Sequence, residues 1–124
     1  MSVEEMFCDI APSCHYKAAI RIYPTDKALQ KANLANGGNG EAQAFCVSQE
    51  GKEDRLTTLH FYIGEMPPSL VAHEVFHAVM ELVRMFRLDM EDDYAQEMAA
   101  HSVGHLMEKV QLAKKLYRDK HPRH

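Results

Sequence analysis

Cysteine is scarce and unpatterned in this chain: Cys8, Cys14 and Cys46 are an odd set of three in 124 residues. They suggest no disulfide framework, and such usage fits a reducing compartment. Long apolar runs are missing too. No stretch approaches the run of about 18 apolar residues that marks a membrane span. The acidic start Met1-Ser2-Val3-Glu4-Glu5 has no basic flank ahead of an apolar segment, so no signal peptide is expected. Positive charge is not in excess either: the formal net charge of −4 gives no reason to expect a nucleic-acid partner. No internal repeat is apparent, and nothing in the pattern specifies an oligomer. These absences leave the expectation of a cytoplasmic chain that does not engage membranes. Its length suits one domain, residues 1–124, with a single modest core.

The most informative segment is His73-Glu74-Val75-Phe76-His77. On a helix the two histidines stand at i and i+4, so both imidazoles leave one face a turn apart. Two nitrogens at that spacing suit one tetrahedral zinc ion, and the intervening glutamate can take a proton from metal-bound water. With 8 histidines and 11 glutamates in the chain, about 0.04 such matches arise by chance, so coincidence is a poor account.

The surrounding pattern divides into a mixed first half and a helical second half. Residues 18–23 read as a strand ended by Pro24, after which Thr25 caps a short helix to about Leu34. Residues 36–40, glycine-rich, form a mobile loop. Residues 42–48 and 56–63 are two strands of an antiparallel hairpin around the polar turn 49–54. Pro67 and Pro68 close the sheet region, and Ser69 is placed to cap the motif helix, which runs to about Phe86. A connector from Asp89 to Asp93 precedes a second long helix from about Tyr94 to Tyr117. Residues 1–15 and 118–124 are expected to fray. The fold class is α+β, with a small antiparallel or mixed sheet from the N-terminal half packed on two long C-terminal helices.

A catalytic zinc site needs a third protein ligand, and Glu97 stands 20 residues after His77, enough chain to turn and return along the first helix. Ala100, His101, Gly104 and Glu108 fall within about 60° of the same face. The small residues among them would let that face approach the motif helix closely. The alternative for Glu97 is an acidic first-turn residue favoured by the helix dipole. His101 competes for the ligand position, or orients a ligand from behind it. His105 reads as a surface histidine. Glu81 either braces the site or is solvated, with solvation preferred. His60, Tyr62, Tyr94 and His101 are the side chains available to stabilise an oxyanion. Cys8 with Cys14-His15 is an incomplete soft-metal pattern, and the acidic stretch 89–93 lacks the glycine and the bidentate glutamate of a calcium loop. Lys114, Lys115, Arg118, Lys120 and Arg123 make a basic end, read as a solvated terminus complementing its dipole.

The segment 73–77 followed by Glu97 in a later helix resembles the gluzincin branch of zinc metallopeptidases. The string from Ala95 to His101, leading to Gly104-His105-Leu106, is loosely similar to small phage- and prophage-encoded proteins bearing the same motif. The resemblance covers residues 69–110, and only the motif itself is highly specific. It implies a minimal zincin-like domain whose sheet borders a cleft floored by two helices. It further implies a peptide or protein substrate, zinc held by His73, His77 and Glu97, and Glu74 as general base. The metzincin pattern does not fit, because residues 78–93 contain no histidine. The later tyrosine or histidine by which larger gluzincins steady the oxyanion has no clear counterpart. A different class remains open: a zinc-binding interaction or regulatory module without catalysis. The edge strand for an extended peptide is expected at 56–63.

Overall fold

A computed structural model describes residues 2–12, 14–48 and 55–122. The polar turn expected at 49–54 and the last two residues lie outside them. Seven elements follow one another: β1 (Glu4–Asp9), β2 (Lys17–Tyr23), α1 (Asp26–Ala35), β3 (Ala44–Ser48), β4 (Thr57–Tyr62), α2 (Pro68–Phe86) and α3 (Asp93–Lys120). The class is α+β, as the pattern implies. The four strands form one mixed sheet in the order β1-β2-β4-β3. The β1/β2 and β3/β4 pairs are antiparallel and the β2/β4 pair is parallel. No helix among the described residues is long and apolar enough to cross a membrane.

Strand alternation splits the side chains between two cores. Ile20, Ile22, Leu59, Phe61, Ala44 and Cys46 join the main core beneath α2 and α3. Tyr23 and Phe45 point the other way and pack with Leu29 of α1. The sheet is therefore sandwiched, with α1 on one face and the two long helices on the other. Residues 57–61 are all nearly solvent-free, the mark of a strand enclosed on both faces. This corrects the expected edge: β4 is paired on both sides, and the outer strand beside it is β3.

The chain ends differ from expectation. Residues 4–9 form a paired strand rather than a frayed start, with Met6 and Cys8 turned to the core. On the opposite face Glu5 bonds both Arg21 and Arg55. α3 continues through Lys120, and both Lys120 and His121 donate to the Glu4 carboxylate at 3.1 Å. Those bonds, His121 first, hold the Glu4 carboxyl below its ordinary range. The glycine-rich loop is tied as well. Asn33 accepts the Gly40 N–H at 2.9 Å, and a Cβ on Gly38 would stand 2.2 Å from the Asn33 side chain.

Helix caps follow local chemistry. Thr25 Oγ1 accepts the Ala28 N–H at 3.1 Å, as expected. α2 starts one residue before Ser69: Pro67 is its cap and Pro68, needing no N–H there, its first residue. Arg87 ends α2 in the left-handed conformation, φ 51°. Asp92 caps α3, so the acidic stretch serves as a helix start.

Candidate metal centre

The roll of α2 about its axis fixes what residues 73–77 can do. Val75, Ala78, Val79 and Leu82 are buried against the sheet. Burying Val75, Val79 and Leu82 favours that orientation by roughly 1.5–3 kcal/mol each. At 100° per residue, His73 and His77 then fall nearly opposite the buried stripe, and both are exposed. Glu74 lies between the two faces and is buried, with 7% of its surface exposed.

The two imidazoles converge. Their Nε2 atoms are 3.2 Å apart, with ring centroids at 4.8 Å and planes at 78°. Two nitrogens bound tetrahedrally to zinc at about 2.0–2.1 Å would be about 3.4 Å apart, so the pair fits one ion. A carboxylate oxygen of Glu74 and a nitrogen of each histidine all lie within 4.8 Å of one another. Among the described residues this is the one group of three or more such side chains able to hold a metal. Burial pushes the Glu74 carboxyl above its ordinary value, and the neighbouring His73 and His77 act in the opposite direction.

The neighbouring strand braces this face. Glu81, one turn past His77, accepts from Ser48 Oγ of β3 at 2.8 Å and from Arg84 at 2.6 Å. Burial alone would raise the Glu81 carboxyl, but these bonds outweigh it and hold it low. The preferred reading of Glu81 as merely solvated is thereby corrected. Cys46, also on β3, has its thiol pushed up to about 11, by burial first and then by the charges of Glu74 and Glu81. Sequence reading missed Ser48 and Cys46. Their alternation with Phe45 and Val47 was the available signal, since it turns them to the α2 side once β3 is outermost.

Glu97 is not brought to the histidines. The buried stripe of α3 is Ala95, Ala99, Ser102, Leu106, Val110, Ala113 and Tyr117, and Glu97 lies about 180° from it. Turning Glu97 inward would expose Leu106, Val110 and Tyr117, at roughly 1.5–3 kcal/mol each. Its side chain is 75% exposed and meets His101, itself exposed, at 3.5 Å. The two share a 390 Å³ cavity with Tyr94, walled by Ala11, Pro12 and Met98 and by no residue of α2. Ala100 is exposed, and a Cβ on Gly104 would meet nothing within 4 Å. The small residues expected to pack on α2 therefore face open space.

The oxyanion candidates divide similarly. Tyr94 is 79% exposed and belongs with Glu97. Tyr62 packs between the two cores. His60 lies on the α1 side of the sheet, stacked on Phe45 at 4.1 Å, where its Nδ1 shares a hydrogen bond with the Tyr23 hydroxyl at 2.7 Å. His105 is half-buried and bonds the Asp9 carbonyl at 2.8 Å, joining α3 to β1. The three cysteines are unpaired.

His60 has a structural consequence with a definite sign. Burial, reinforced by Arg21 and Arg55 and opposed by Glu5, holds its pKa down to about 3, while the unfolded chain protonates near 6.5. Its neutral burial thus favours folding fully above pH 6.5, and that contribution is lost as pH falls towards 3. Between pH 7 and pH 5 the loss from this group is about 2 kcal/mol. His60→Gln, which keeps a hydrogen-bonding group beside Tyr23, should shrink the pH 7-to-5 loss in urea-unfolding free energy by about that amount. Equal losses in both proteins would refute this account of His60.

No protein-family model, no curated protein and no solved structure matches the chain.

Proposed function

We propose that this protein is a zinc-dependent hydrolase of peptide bonds in which His73 and His77 hold the ion and Glu74 is the general base. The observation carrying this reading is the pair of Nε2 atoms 3.2 Å apart with the buried Glu74 carboxylate beside them. Zinc bound there would supply a Lewis acid and bring the pKa of its water towards about 7. Glu74 would take the proton as the water attacks the peptide carbonyl, then return it to the leaving amine. Its burial suits both tasks, because desolvation raises a carboxyl above its ordinary range. The outer strand β3, anchored to α2 through Ser48 and Glu81, offers free backbone groups to an extended peptide.

Metal content tests the premise. Chelator-stripped protein without a histidine tag should take up about one zinc per chain by elemental analysis, held by the two converging imidazoles, with Glu97 turned away and water filling the remaining positions. No uptake under zinc-replete conditions sinks the proposal. A second reading rests on Glu74 being the third donor in the group while Glu97 faces away. If Glu74 ligates, the site is that of a zinc-binding interaction or regulatory module without catalysis.

A further inference from the structure

The basic end of α3 contains two kinds of cation. Lys115 pairs with Asp119 at 2.9 Å and Lys120 with Glu4 at 3.1 Å. Lys114 and Arg118, one turn apart, pair with no carboxylate among the described residues. These two line a cavity of about 280 Å³ between the start of α2 and the later part of α3, walled by Met66, Val71, Met107 and Val110. Lys114 is half-buried, contrary to the solvated end read from sequence, and donates to the Gly64 carbonyl at 3.0 Å. An ammonium has three donors, so two remain. Burial holds its pKa down to about 8, with the Arg118 charge acting the same way. Like charges at i and i+4 disfavour a helix. Placing both at one cavity, whose mixed lining also includes Pro68 and Gln111, with no carboxylate partner among the described residues leaves a positive field that an anion would neutralise.

We infer that this cavity binds a small molecule bearing an oxyanion, carboxylate or phosphate, on a short apolar body, with the head between Lys114 and Arg118. The volume lies near the lower bound of about 300 Å³ for ligand pockets, so a head group and a few carbons suit it. Charge-assisted bonds from Lys and Arg favour such heads over neutral ones.

Titration of the purified protein with hexanoate, hexyl phosphate, hexanol and inorganic phosphate tests this site apart from any chemistry at residues 73–77. At least one of the two anionic amphiphiles should bind, and the tighter one identifies the head as carboxylate or phosphate. Lys114→Met should weaken it about tenfold or more, the usual scale of a charged hydrogen bond. Hexanol should bind at least about tenfold more weakly than the preferred anion. The inference fails if neither amphiphile binds at millimolar concentration, or if Lys114→Met binds as tightly as wild type. Equal affinity for hexanol removes the anionic head, and equal affinity for inorganic phosphate removes the apolar body. Should Lys114→Met not fold, the exposed Arg118→Ala carries the same comparison. In wild type, saturating amphiphile must also slow acylation of Lys114 by acetic anhydride, followed by mass spectrometry. An unchanged rate overturns the site.

Discussion

Glu74→Gln should retain zinc and fold while peptide hydrolysis drops by about 10²–10⁴-fold, the range a positioned general base contributes. Further loss is expected, because the same carboxyl returns the proton to the leaving amine. The substitution is nearly isosteric at a position with 7% exposure, so the packing around it is preserved. The amide that replaces the carboxylate could still accept a hydrogen bond but could not hold a proton between the two half-steps. The measurement pairs zinc stoichiometry with turnover of a broad peptide library by both proteins. Metal retained and turnover lost supports Glu74 as base. Metal lost with the carboxylate makes Glu74 a ligand and transfers the protein to the non-catalytic reading. Equal zinc binding with no cleavage by wild type does the same from the other side.

What was legible in the sequence followed from local periodicity. The i, i+4 histidines convey helix geometry within five residues, and the structure does place both rings together. The hairpin partners β3 and β4, the Thr25 cap and the sheet-plus-two-helices layout were readable for the same reason. β1 was not, because its alternation is blurred. Phe7, 46% exposed, faces outward under the Arg55 guanidinium, while Glu5 draws its partners Arg21 and Arg55 from elsewhere in the chain. Strand order was equally hidden. That residues 57–62 pair in parallel with β2 depends on how the chain crosses over, not on the strand's own residues. The most consequential loss was the roll of α3. Glu97, Ala100, His101 and Gly104 were grouped by a chosen metal ligand, whereas the larger residues Leu106, Val110 and Tyr117 decide which way the helix turns.

His73→Ala and His77→Ala should each weaken zinc binding by more than about 100-fold, whereas Glu97→Ala should stay within about threefold of wild type. Outer partners of a metal site typically contribute about 10–100-fold, and removing one of two imidazoles should exceed that. Both histidines are exposed and alanine is the best helix former, so neither change should unfold α2, and any loss reports on coordination. Glu97 is 75% exposed, about 180° around α3 from its buried stripe, and among the described residues pairs with an exposed His101. Its removal, and that of His101, should therefore leave the ion's affinity alone. A competitive chelator titration of the purified variants separates the cases. If Glu97→Ala instead falls as far as the histidine variants, α3 must rotate when metal binds. The rotation would draw Leu106, Val110 and Tyr117 out of the core, and zinc affinity would then have to offset roughly 1.5–3 kcal/mol for each. Metal-dependent protection of the α3 amides would accompany such a movement, and hydrogen exchange with and without zinc would register it.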